Sequence, residues 1–140
     1  MVGVVIVTHG NLAKELITAV NFVVSSQTSL KMEPVSLDPT QDFESLKEKI
    51  KKAIDKVDDG GGILIVTDMF GGTPSNVGLT FLEDNKIEVI SGANLPMLLK
   101  LATLSDNHSL KEIVKRAESA GKDNIIIATK LLKSKSTNKS

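Results

Sequence analysis

The chain has 140 residues, 41% of them apolar, with 17 basic against 17 acidic side chains and a formal net charge of zero. That length holds one ordinary domain with a sizeable core, and the balance removes the overall field that would attract nucleic acid or an anionic membrane. Cysteine is absent, which excludes disulfides, thiol nucleophiles and thiolate metal sites together. Four Phe with no Trp or Tyr leave almost no platform for stacking bases or sugars. A strand pattern begins within two residues of the start, without a signal-peptide pattern, and no run reaches membrane-spanning length, so a cytoplasmic protein without membrane insertion is expected.

Apolar β-branched runs alternate with helical patterns, the rhythm of βαβ units on a mainly parallel sheet. A first strand, Val2 to Val7, runs into Thr8-His9-Gly10. Leu12, Leu16, Val20 and Val23 or Val24 then recur at helical spacing, with Asn11 as N-cap. After the polar turn Ser25 to Ser29, Met32 to Leu37 reads as a second strand, and Pro34 inside it argues for the sheet edge. Asp38-Pro39-Thr40-Gln41 has the order of an N-cap, a Pro at N1 and a Gln at N3. Phe43, Leu46, Ile50, Ala53, Ile54 and Val57 supply the buried face of the helix that follows.

Asp58-Asp59 and the glycines 60–62 stop that helix, and Ile63 to Val66 follow as a continuous apolar strand suited to the sheet centre. It runs into Thr67-Asp68 and then the segment Met69 to Asn76, where Thr73 can cap a helix and Pro74 fits its first position. A fourth strand, Ile87 to Ile90, ends in Ser91-Gly92-Ala93-Asn94 before a helix carrying Pro96, Met97, Leu98, Leu101 and Leu104. The run Met97 to Leu99 reads as core. Ser109 and Glu112 form a capping box for a helix closed near Gly121. Asn124 to Thr129 reads as a last short strand, and Lys130 to Ser140 as a polar tail, disordered or the beginning of a linker. One domain over residues 1–130 and a tail over 131–140 are expected.

Three strand ends therefore carry polar or glycine-rich segments, and a parallel sheet projects all three from one edge. His9 and Asp68 are the natural chemical pair. A carboxylate accepting from Nδ1–H fixes the tautomer that leaves the Nε2 lone pair free, and it stabilises the cation formed after attack. Backbone N–H groups of Gly71 to Thr73, with the Thr73 hydroxyl, can cradle an anion such as phosphate opposite His9. Each residue also has a plainer reading: His9 satisfying a carbonyl, Asp68 capping a turn, the glycines supplying positive φ. His108 offers no catalytic geometry in its local sequence. The lysines from Lys47 to Lys56 interleave with Glu48 and Asp55 as a solvated face. Two histidines 99 positions apart give no metal-ligand spacing, and no Gly-Lys-Ser/Thr follows the glycines as a nucleotide P-loop requires.

Thr8-His9-Gly10, the segment Asp68 to Asn76 and the segment Ser91 to Met97 together resemble the mannose-family IIA component of the bacterial phosphoenolpyruvate-dependent sugar phosphotransferase system, over residues 1 to about 130. The resemblance implies an α/β three-layer sandwich with sheet order 2-1-3-4, in keeping with an edge position for the second strand. It implies a phosphocarrier in which His9 accepts a phosphoryl group from phosphorylated HPr and passes it to a IIB component, with membrane IIC and IID components engaged indirectly. Asp68 would hold Nδ1–H, and Thr8, Gly10, Gly71, Gly72 and Thr73 would surround the phosphoryl group; no cofactor is implied. It further implies a homodimer joined by a C-terminal antiparallel strand, which Asn124 to Thr129 matches.

Two other outputs stay open on these residues. A free-standing module of this kind can sense phosphorylation state and regulate a partner rather than feed a mannose, fructose or sorbose transporter. A histidine phosphatase also places His-Gly after its first strand, but there an Arg precedes the His; Thr8 stands in that position, and the one arginine of the chain is Arg116.

Overall fold

The four apolar runs become the parallel strands β1 (Gly3–His9), β2 (Met32–Leu37), β3 (Ile63–Thr67) and β4 (Ile87–Ser91), in sheet order β2-β1-β3-β4. A computed structural model describes residues 1–24, 30–104 and 107–138, with side chains to Ser134; the expected turn 25–29, Ser105 and Asp106 before His108, and the last two residues of the tail lie outside the described residues. β1 pairs with β2 from Val4↔Met32 to His9↔Leu37 and with β3 from Gly3↔Ile63 to Val7↔Thr67. Pro34, which has no N–H to give a ladder, sits on the edge strand as expected.

Strand alternation divides the core into two layers. Val4, Ile6, Leu64 and Val66 pack with the buried faces of α1 (Leu12–Val23), α4 (Leu95–Thr103) and α5 (Leu110–Asp123). On the other face Val5, Val7, Ile63 and Ile65 pack with α2 (Phe43–Val57) and α3 (Thr73–Leu79). The result is the expected three-layer α/β sandwich. The order of the sheet reverses between β1 and β3, so the crevice at a switch point falls between their carboxyl ends, at His9 and Asp68.

Three local expectations change. Asp38 does not cap α2: its carboxylate accepts from the Thr40 N–H and hydroxyl at 3.0 and 2.9 Å, closing a separate turn around Pro39. Asp42 caps the helix one turn later, through the Ser45 N–H at 2.8 Å, and Phe43 at the first position is left exposed rather than buried. At α1, Asn11 occupies the N-cap position without a side-chain bond; the Thr8 hydroxyl takes the Ala13 N–H at 2.7 Å instead. The capping box of Ser109 and Glu112 and the Asn94 cap of α4 form fully.

The C-terminal segment departs further from expectation. Asn124 to Thr129 form no strand; residues 125–127 run without regular structure, and Ala128 opens α6 (Ala128–Asn138), which also takes up most of the expected unstructured tail. A strand exists only as a ladder, and no strand among the described residues pairs with it, so the β-branched preference of Ile125 to Ile127 goes unused. Beyond them Ala, Lys and Leu favour the helix.

Candidate active site

His9 is the last residue of β1, and the alternation that buries Val5 and Val7 turns its side chain to the α2 and α3 face. There Asp68, the first residue after β3, takes three bonds. Its Oδ2 accepts from the His9 backbone N–H at 3.1 Å and faces His9 Nδ1 at 2.8 Å; its Oδ1 accepts from the Met69 N–H at 3.1 Å. A carboxylate offers only acceptors, so the imidazole hydrogen lies on Nδ1 and Nε2 keeps its lone pair. The Asp68 side chain is 12% exposed and that of His9 47%, which sets the orienting group inside and the reactive edge outside.

Nε2 looks toward the start of α3. A Cβ placed on Gly72 would stand 3.0 Å from His9 Cε1, 3.4 Å from Nε2 and 3.5 Å from Met69 Cγ, so a bare backbone is what lets the loop approach the ring. Gly71 serves differently, adopting φ +89°, a conformation that side chains disfavour. Gly10, at φ +54°, turns the chain from β1 toward α1 and bonds through its N–H to the Leu37 carbonyl. The first helical bond of α3 runs from Asn76 N–H to the Gly72 carbonyl, which leaves the Thr73 and Ser75 N–H groups ahead of the ladder. Contrary to expectation, Gly72 rather than Thr73 takes the N-cap position of α3, with no side-chain cap bond; Thr73 is the first helical residue, with Pro74 after it, and is exposed.

His9, Asp68 and Gly72 are thus brought together, with Gly71 and Thr73 adjoining them in the loop. Thr8 is not. It is fully buried on the opposite face of β1, its hydroxyl capping α1, so it cannot meet a group carried on Nε2. The third strand end also acts at one remove. Gly92 and Ala93 both donate N–H to the Thr67 carbonyl at 3.0 Å, and the Ser91 and Thr67 hydroxyls lie 2.7 Å apart, so this segment buttresses the end of β3 that launches Asp68. Asn94 binds the end of α5 to the start of α4 through the Gly121 carbonyl. His108 is half-buried beside Glu112 at the other end of the sheet, and Arg116 lies on α5, so neither clamps an anion at His9. Met69 and Phe70, two large apolar residues inside a polar loop, both stand exposed beside Asp68.

A family model described as PTS system fructose IIA component, EIIA-man, matches residues 3–118. The chain belongs to this family. It is a IIA unit of a sugar phosphotransferase system, of the mannose group. It is 31% identical to the sorbose-specific EIIA component of Lacticaseibacillus casei over 112 residues, 79% of each protein. It is also 31% identical, over 140 residues, to the mannose-specific EIIAB component of Escherichia coli K12. That alignment takes in 99% of the chain but 42% of the relative, so the chain spans less than half the length of that protein. The crystal structure of a phosphotransferase system component EIIA from Streptococcus agalactiae shares the fold, with a TM-score of 0.81 and 22% identity over 93% of this chain and 99% of that one. No helix among the described residues is long and apolar enough to cross a membrane.

Proposed function

We propose that this IIA unit is a phosphocarrier: His9 Nε2 takes a phosphoryl group from phosphorylated HPr and passes it to a IIB component during sugar uptake. The observation that carries the reading is the 2.8 Å contact of His9 Nδ1 with Asp68, which leaves Nε2 as the free nucleophile beside Gly72. In the transfer, the Nε2 lone pair forms the bond to phosphorus as the bond to the donor nitrogen breaks in line. The Nδ1 proton stays where it is, and the Asp68 carboxylate balances the cationic ring that results. Backbone N–H groups at Gly72 and Thr73, and the Thr73 hydroxyl, stabilise the equatorial oxygens. Return of the group to the IIB nucleophile is the same step reversed.

The partners on this reading are HPr, IIB, and through IIB the membrane IIC and IID components, with the IIA unit working in the cytoplasm. A second copy of the chain completes the set: the exposed Ile125 to Ile127 form the apolar face of a homodimer. The test is incubation with phosphoenolpyruvate, enzyme I and HPr, followed by intact-mass analysis at alkaline pH. Wild type gains one acid-labile phosphoryl group, and His9→Ala gains none. Label on His9→Ala, or an unlabelled wild type, overturns the assignment.

A further inference from the structure

The side of the sheet along β2 gathers cations that the sequence interleaves with acids. In α2, at about 100° per residue, Glu44, Glu48 and Asp55 come to the outward ridge, while Lys49, Lys52 and Lys56 fall together on the flank beside β2. Lys14 approaches the same strand from α1, in the other helical layer. The four lysines border one open groove of about 270 Å³, and Glu33 is the single acid in its lining. Glu33 is taken by Lys56 at 3.3 Å. Lys49 has only neutral partners, the Ser36 carbonyl and Gln41 Oε1, at 3.4 and 3.2 Å. Asp38 senses the Lys49 charge, but its carboxyl is held first by Thr40. Among the described residues, Lys14, Lys49 and Lys52 form no ion pair.

The strand between these lysines has an open backbone edge. Val4 N–H bonds to the Lys31 carbonyl and Gly10 N–H to the Leu37 carbonyl, so the odd residues of β2 face β1. Pro34 and Ser36 face outward, where no strand pairs among the described residues. Pro34 has no N–H to offer, and Lys49 occupies the Ser36 carbonyl, so the edge is guarded against an added strand. That guard needs neither Lys14 nor Lys52, which stand on helices of two different layers. The groove therefore offers ammonium groups on both sides of the outward Ser36 N–H, a donor set for carboxylates. From Lys49 to Lys56 the helix axis advances about 10 Å, a length that one compact anion does not cover. Acidic side chains on one face of an extended chain, about 7 Å apart, do cover it.

We infer that the groove along β2 is a docking site for an acidic, extended segment of a partner protein, held by Lys14, Lys49, Lys52 and Lys56 through charge rather than through strand addition. His9 is not among the lining residues, so the inference stands or falls apart from the phosphocarrier reading.

Fluorescence anisotropy of a labelled peptide, Gly-Glu-Thr-Glu-Thr-Glu-Gly, reads the groove on the whole chain. Wild type binds it with a Kd that rises with added salt, and His9→Ala binds it equally. Lys14→Gln combined with Lys52→Gln, both exposed, weakens binding about tenfold or more. Lys47→Gln combined with Lys51→Gln removes the same charge from the opposite flank of α2 and keeps Kd within about twofold. The isomer Gly-Glu-Glu-Glu-Thr-Thr-Gly binds several-fold more weakly, because its acids do not share one face. Pyrophosphate displaces the first peptide only far above that peptide's Kd. Equal losses in the two double variants, or equal binding of the two peptides, reduce the patch to general attraction and overturn the inference. Displacement by pyrophosphate at or below the peptide's Kd makes it a compact-anion site and overturns it too, as does a wild type that binds neither peptide. A chain that binds the first peptide as expected but takes no phosphoryl group on His9 removes the phosphocarrier reading and leaves the groove.

Discussion

The His9 edge and the C-terminal segment emerge at the same end of the molecule and are held in opposite ways. At His9, each group is fixed by a partner distant in sequence: Asp68 binds His9 across 59 positions, Ser91 meets Thr67 across 24, and Gly10 bonds to Leu37. After α5 the bonds seen are between near neighbours, Ile125 N–H to the Lys122 carbonyl and Leu131 N–H to the Ile127 carbonyl, while Ile125 is 75% exposed. Convergent polar bonds on the sheet hold His9 and Asp68 together within one chain. An apolar segment without a neighbour takes its final form from whatever covers it.

The contrast is broken most severely at Asp68. Asp68→Asn keeps shape and one acceptor, but its amide no longer selects the Nδ1–H tautomer or balances the cationic ring. The expected loss in the rate of transfer from phospho-HPr is on the order of 100-fold, the scale of a misplaced proton in acid–base catalysis. The melting temperature should move little. Nitrogen NMR of the His9 ring reads the tautomer without any phosphorylation, and an unchanged ring spectrum together with an unchanged rate would remove Asp68 from the mechanism.

Thr8 sharpens the same comparison from the other face of β1. Thr8→Val is nearly isosteric and leaves the Ala13 N–H without its acceptor, so unfolding should become easier by about 1–2 kcal/mol, the scale of a lost helix cap. Phosphorylation of His9 should proceed at the wild-type rate, because the Thr8 hydroxyl faces α1. Denaturant unfolding and the transfer assay together decide it: a slowed transfer at unchanged stability would return Thr8 to the phosphoryl site.

These contrasts mark what was legible in the residues. Strand alternation and the switch point bring His9 to Asp68, because a parallel sheet carries all strand ends to one edge whatever their spacing in sequence. Side chains are harder, since a polar residue beside a helix start has several backbone groups within reach. Asp38 and Asp42 both have the chemistry of an N-cap, and the turn around Pro39 decides between them. Thr8 and Thr73 look alike as phosphate contacts, yet alternation along β1 buries one and the loop exposes the other. Ile125 to Ile127 carry a strand's composition without a strand's partner, and composition alone does not state whether a partner exists.

The smallest expected effect is the most informative about that segment. Ile126 is exposed and contributes nothing resolvable to the core of its own chain, so Ile126→Glu should change unfolding of the isolated chain by no more than about 0.5 kcal/mol. If Ile125 to Ile127 form the dimer face, the same substitution places a charge in an apolar contact and shifts the population to monomer. The wild-type melting temperature should then rise with protein concentration, as linkage to association demands, and that dependence should flatten in Ile126→Glu. Light scattering across the same concentrations checks the stoichiometry. A wild type that stays monomeric throughout would leave these isoleucines uncovered in the working protein and remove the dimer face.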